Sequence, residues 1–158
     1  MKFDKNRLVL GLIFPAIIAL YAGNAGAVEF KLGEFNITMN PPATVDHISY
    51  ASDTYSDFEV NEATFETVFL SYIVTVLKPL SGPVEGFKST PISGYYDTLS
   101  NTTMDGKPAV EVLAGQFTTV EYVKDDKALI TLQFKEAEGT DSSNSIAETI
   151  KGFKATRV

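Results

Sequence analysis

Apolar side chains recur at Phe65, Val68, Phe69, Tyr72, Ile73, Val76 and Leu77, which is the i, i+3, i+4, i+7 spacing of one helical face. Asn61 can accept a hydrogen bond from the free N–H groups of a first turn, and Glu62 and Glu66 suit its positive end. Lys78 and Pro79 stop the run. The spacing predicts an amphipathic helix over residues 61–77. Val68, Ile73, Val74, Thr75 and Val76 pull the other way, because β-branched side chains favour strands. The seven matches to the helical template decide for the helix.

Elsewhere the period is two. Residues 28–32 and 35–39 alternate out of phase across Gly33 and Glu34, which predicts a bulge or a tight hairpin, and Asn40-Pro41-Pro42 ends the run. A short strand is expected within residues 43–50, and residues 51–60 read as an acidic connection. A turn follows at residues 80–83. Residues 87–99 turn to a β pattern interrupted by Pro91, and Asp105-Gly106 is a strong two-residue hairpin signal before a strand at 109–113. Residues 116–124 alternate with either face eligible for the core. Residues 128–135 put Ala128, Ile130, Leu132 and Phe134 on one side. Ser145 and Glu148 have capping-box spacing, Ile146, Ile150 and Phe153 share a side, and Lys151, Lys154 and Arg157 suit a helix C-terminus. The expected class is therefore α+β: an antiparallel sheet packed by a central amphipathic helix and a C-terminal helix.

The chain of 158 residues is long enough for one core. Its start reads as an export signal: Lys2, Lys5 and Arg7, then an uncharged apolar run over residues 8–22, then small residues ending at Ala25 and Ala27. Residues 1–27 are expected to be a cleaved secretory signal peptide and residues 28–158 a single domain. An anchor is disfavoured, because the run is shorter than the roughly 20 residues that span a bilayer and contains Pro15. No membrane span is then expected after cleavage. Loss of Lys2, Lys5 and Arg7 against Asp4 takes the formal charge from −7 to −9. So acidic a domain repels nucleic acid and anionic lipid and attracts basic protein surfaces. The chain has no Cys and one His, which excludes a disulfide framework and a thiol nucleophile and all but excludes a zinc site.

Three segments resemble the PsbP-like superfamily, which includes the extrinsic PsbP proteins of the photosynthetic oxygen-evolving complex and bacterial envelope proteins of the DcrB type. They are residues 35–42 (FNITMNPP), residues 104–109 (MDGKPA), and the strand at 129–134 leading to residues 146–154 (IAETIKGFK). The resemblance implies a central antiparallel sheet flanked by helices and a non-enzymatic accessory or binding role; with the export signal, a periplasmic or secreted location is expected. Fold does not fix function, so the role is analogy.

His47 adjoins Asp46 with Ser49 and Ser52 nearby. Neighbours on a strand point to opposite faces, and the chain has no Gly-x-Ser-x-Gly elbow, so a catalytic triad is not expected. Between Lys31 and Lys78 the chain carries Glu34, Asp46, Asp53, Asp57, Glu59, Glu62 and Glu66 without a Lys or Arg. Asp53, Asp57 and Glu59 are the closest set for a hard cation, but the loop that preorganises calcium ligands is missing. A solvated acidic face that keeps the protein soluble is favoured over a metal site, and docking of a basic partner by that face is the option between them. Tyr95 and Tyr96 point to opposite sides of any strand, so one is expected to be exposed. The glycosylation patterns at Asn36 and Asn101 matter only in a eukaryotic secretory route and are discounted. The expected partner-binding residues are Asp53, Asp57, Glu59, Glu62, Tyr95 and Tyr96, with no catalytic residue, metal or cofactor. The expected function is an exported envelope protein acting through protein–protein contacts. The alternatives are an immunity or inhibitor protein against a basic toxin or enzyme, and a carrier of a small apolar ligand.

Overall fold

The computed structural model describes residues 26–89 and 95–158. All but the last two residues of the expected signal peptide, and part of the β pattern around Pro91, lie outside them. The strands are β1 (Val28–Leu32), β2 (Phe35–Met39), β3 (His47–Thr54), β4 (Phe58–Glu66), β5 (Leu70–Pro79), β6 (Thr98–Met104), β7 (Lys107–Ala114), β8 (Phe117–Asp125), β9 (Ala128–Glu136) and β10 (Lys154–Arg157). A single α-helix among the described residues, α1 (Ser143–Gly152), and a short 3-10 helix (Val84–Phe87) complete them.

The segment expected to be a central helix is instead the β4–β5 hairpin, which overturns the α+β class in favour of a mostly antiparallel β protein. Ala63 and Phe65, then Leu70, Tyr72, Val74 and Val76, are buried at period two. Val68 and Phe69, which a helix would need inside, are 73% and 59% exposed at the turn. That turn is closed by the Thr67 N–H donating to the Leu70 carbonyl (2.9 Å) and the Leu70 N–H donating to Thr67 Oγ1 (3.1 Å). β5 pairs with β4 on one side and β9 on the other. A branched run flanked by two strands gains cross-strand packing that an isolated helix face cannot match. The supposed acidic connection is likewise the second half of β3 and the start of β4.

The larger sheet runs β3-β4-β5-β9-β8-β7-β6, and the smaller β1-β2-β10. Two antiparallel meanders, β3 to β5 and β6 to β9, meet where β5 pairs with β9. After β5 the chain through residue 89 lies on one face of the larger sheet, here the outer face. Its 3-10 helix touches β5 and β9, and the Ser89 N–H donates to Glu121 on β8. The smaller sheet and α1 cover the inner face. Phe30 packs on Phe65 (5.1 Å between centroids) and Phe153 on Tyr122 (6.4 Å). Of the eligible faces of β8, the one with Val120 and Tyr122 is inside, and β9 buries Ile130, Leu132 and Phe134.

The expected hairpin at residues 33–34 is present, with Gly33 at φ +58°. The Asp105-Gly106 turn is too, at φ 54° and 68°, which gives the two left-handed residues of a type I′ hairpin. The last helix starts earlier than its capping box implied: Asp141 Oδ1 accepts the Ser143 N–H (3.0 Å), and Ser145 lies inside the helix. It also ends earlier. Phe153 is extended, and Lys154 and Arg157 belong to β10 instead of compensating a helix dipole. At Gly152 a Cβ would stand 2.6 Å from Asn40 Nδ2, so a larger residue there would displace the Asn40 side chain beyond the end of β2.

Charges fasten β10 to the larger sheet. Arg157 pairs with Glu34 and with Asp125 (2.8 Å) and stacks over Phe35 (4.6 Å), while Lys78 reaches Glu34. The Lys78 hydrogen bond, helped by Arg157, holds the Glu34 carboxyl below its ordinary range against the opposing effect of burial.

Candidate functional site

The acidic residues singled out from the sequence do not form one patch. In the β3–β4 register Asp53 faces Val60 and Ala51 faces Glu62, so Asp53 and Glu62 share the outer face. Burial, then the Asp53 charge, pushes the Glu62 carboxyl up. Glu59 points to the opposite face, where it accepts from Asn61 Nδ2 (2.9 Å) and sits opposite Lys78. Asp57 lies in the turn between the strands. Among the described residues no three His, Cys, Asp or Glu side chains gather as a metal site would need. His47 is exposed at the start of edge strand β3, opposite Glu66. Tyr95 is 80% exposed and Tyr96 half-buried, both before β6 begins.

The structure instead gathers exposed apolar side chains at one end of the larger sheet. Val68 and Phe69 form the β4–β5 tip, and the Phe69 carbonyl accepts the Ala137 N–H (2.9 Å) beyond β9. One strand further on, Phe117 opens β8 opposite Lys135, whose ammonium lies 5.8 Å from its ring centroid. Leu113, next to last in β7, lies at the same end on the opposite face from Phe117, and its carbonyl accepts the Asp97 N–H (2.7 Å), which holds Tyr95 at this end. The exposed carboxylates Asp46, Glu66, Asp97 and Glu138 lie at the same end. The domain is also entered here. Val28 pairs with Met39, and the loop that follows returns to Asp46, whose N–H donates to the Glu66 carbonyl (2.8 Å). Val68 and Phe69 escape detection in the sequence because no Gly, Pro, Asn or Asp marks their turn. The available signal is the change of phase between buried 63 and 65 and buried 70, 72, 74 and 76.

On the outer face, Glu121 and Glu62 lie in one cross-strand row with Thr131 and Thr75 between them. Three strand spacings put them about 14 Å apart, beyond the roughly 5–9.5 Å of paired glycosidase carboxylates. Glu121 accepts from the Ser89 N–H (2.9 Å) and from Thr131 Oγ1 (3.3 Å). Burial pushes its carboxyl above the ordinary 4.5, only partly offset by those bonds. A raised carboxyl favours the folded state fully below the unfolded value, and this contribution is lost as pH rises through the folded value. Glu121→Gln, which keeps an acceptor for Ser89, should therefore raise the thermal midpoint at neutral pH and give no gain below pH 4.5. Equal effects at both pH values in calorimetry would contradict the assignment of a strained carboxylate.

No family model, no curated protein and no solved structure matches the chain, which leaves the PsbP-like resemblance resting on its three sequence segments.

Proposed function

We propose that the chain is an exported, non-enzymatic binding protein of the bacterial envelope whose working surface is the apolar end of the larger sheet. The observation that carries this is that Val68, Phe69, Leu113, Phe117 and Tyr95, all exposed, lie at one end of the larger sheet together with a fringe of exposed carboxylates, Asp46, Glu66, Asp97 and Glu138. Apolar centres ringed by charge are the anatomy of protein interfaces. The fringe selects the class of partner: a protein surface with an apolar centre and basic margins, drawn in by the negative field. Anionic bilayers are repelled by the same carboxylates. An immunity or inhibitor role is this reading with a basic toxin or enzyme as the partner.

A cationic amphipathic peptide of alternating leucine and lysine tests the surface. Such a peptide should bind the wild-type chain and lose affinity as salt rises. The double variant Val68→Ser, Phe69→Ser should bind it at least tenfold more weakly, about 1.4 kcal/mol. Glu66→Lys should weaken binding and flatten its salt dependence. Unchanged affinity in the double variant removes the surface from the interaction. Tighter binding to phosphatidylcholine vesicles than to the peptide would make lipid the partner instead.

A further inference from the structure

The chain enters its fold at the end of the larger sheet that carries Val68 and Phe69. Phe30 packs on Phe65 near the end of β4, whereas a Cβ at Gly33 would stand 3.0 Å from Asn61 Nδ2, further back along that strand. β1 therefore runs away from the β4–β5 tip, and Gly26 and Ala27, both exposed, precede it at the tip end. The tip is tied across β9 to the start of β8: the Phe69 carbonyl accepts the Ala137 N–H (2.9 Å), and the Glu136 N–H donates to the Gln116 carbonyl (3.0 Å), next to Phe117. What precedes Gly26 in the sequence has the chemistry this end should take. Lys2, Lys5 and Arg7 stand against the single acid Asp4, and residues 8–22 form an uncharged apolar run. Residues 23–27, Gly-Asn-Ala-Gly-Ala, join that run to β1. Five extended residues reach about 17 Å, and the three strand spacings from β4 to β8 amount to about 14 Å.

We propose that, while residues 1–27 remain attached, residues 8–22 cover Val68, Phe69 and Phe117 and keep a partner off the apolar end, an inference that rests on that end being the docking surface. Charge and tether choose this occupant. The basic start of the chain meets Asp46 and Glu66, joined by the Asp46 N–H to the Glu66 carbonyl, and Glu138, next to the residue bonded to Phe69. A short tether presents the segment at an effective concentration on the order of millimolar, so a free partner of the same chemistry competes poorly. An export peptidase ends the competition by hydrolysing the Ala27–Val28 peptide bond. Water supplies the hydroxyl of the new Ala27 carboxyl and a proton to the new Val28 amine. The surface is then open only on the processed chain.

Every described strand and helix lies within residues 28–158, so the processed chain keeps the fold. The chain has no Cys, and Val68→Cys therefore places a single thiol at the tip. Its alkylation by a small maleimide should be at least tenfold slower in the full chain than in the processed chain, at any dilution. Adding Ile13→Asp and Ile17→Asp to the full chain changes no residue of the described fold and should restore the faster rate. Equal rates in the full and processed chains, slowing that vanishes on dilution because a second copy is the occupant, or slowing that survives both aspartates overturns the inference. The cationic leucine and lysine peptide separates this inference from the docking reading. It should bind the processed chain at least tenfold more tightly than the full chain, and equal binding to both also overturns the inference. A processed chain that does not bind the peptide ends the docking reading instead, and the thiol rates then decide whether the segment covers the tip.

Discussion

Asp105→Ala should lower the free energy of unfolding by about 3 kcal/mol or more, read as a fall in the urea midpoint at unchanged slope. Asp105 Oδ2 accepts from the Tyr122 hydroxyl (2.9 Å), the Lys124 ammonium (2.6 Å) and the Ala155 N–H (3.3 Å). The Asp105 side chain is 11% exposed and that of Lys124 20%, so solvent replaces little of what alanine removes. An ammonium, a hydroxyl and an amide are left without their acceptor, and removing one member of a buried pair costs more than the pair itself contributes. Burial, then the Asp105 charge, pushes the Tyr122 hydroxyl well above its ordinary range, so it stays protonated as a donor at any physiological pH. Backbone strain adds to the cost, because Asp105 sits at φ 54°, where aspartate and asparagine are tolerated better than alanine. Asp105→Asn should therefore lose distinctly less than Asp105→Ala. The Ala155 amide should show the largest rise in hydrogen exchange, because Asp105 ties β10 to the β6–β7 turn. An alanine variant within about 1 kcal/mol of wild type would mean that this carboxylate is solvated.

Local chemistry was legible where it was strong. Asp105-Gly106 can adopt the two left-handed conformations that a type I′ turn demands, and the strict alternation from Ala128 to Phe134 has one reading, so both were correct. The closing helix was also legible from Ile146 and Ile150, which are buried, though its limits were not. Its true end is where Phe153 turns extended and leads into β10, whose partner β2 lies near the other end of the described residues, and no local pattern carries that pairing. The central hairpin was misread for a different reason. Residues 65, 68, 69, 72, 73, 76 and 77 satisfy a helical template because β5 is apolar on both faces, Tyr72 and Val76 inside and Ile73 and Leu77 half-buried on the other side, while Val68 and Phe69 fall in the turn. What decides between them is the presence of β4 and β9 on either side of β5, a tertiary fact. That error carried the site with it. Val68 and Phe69 were assigned to a core and instead form the exposed tip, while Asp53, Glu59 and Glu62 looked contiguous and are divided between the two faces of β3 and β4. Tyr95 alone was both chosen from the sequence and found at the apolar end.

Two substitutions on adjacent buried rings should have opposite outcomes, and the contrast tests the register of the hairpin as well as its packing. Phe65 and Tyr72 are cross-strand partners, stacked at 4.7 Å with an interplanar angle of 4°, and Phe65 also meets Phe30 of the smaller sheet. Phe65→Ala removes a ring that both layers share, which should cost about 3–5 kcal/mol through lost transfer energy and the cavity left behind. Tyr72→Phe keeps the ring and removes a hydroxyl that is buried without a hydrogen-bond partner in the protein. Burial pushes that hydroxyl's pKa well up, and the half-buried Tyr50, also without a partner, up to about 12. An unsatisfied buried hydroxyl costs about 1–3 kcal/mol, so Tyr72→Phe should leave stability unchanged or raise it. In a helix over residues 61–77 the rings would be seven positions apart on one face, and truncating either would weaken the same contact. A Tyr72→Phe variant that is less stable by 1 kcal/mol or more, on the order of one lost hydrogen bond, would place a bonded partner at that hydroxyl and overturn the stacking geometry around it.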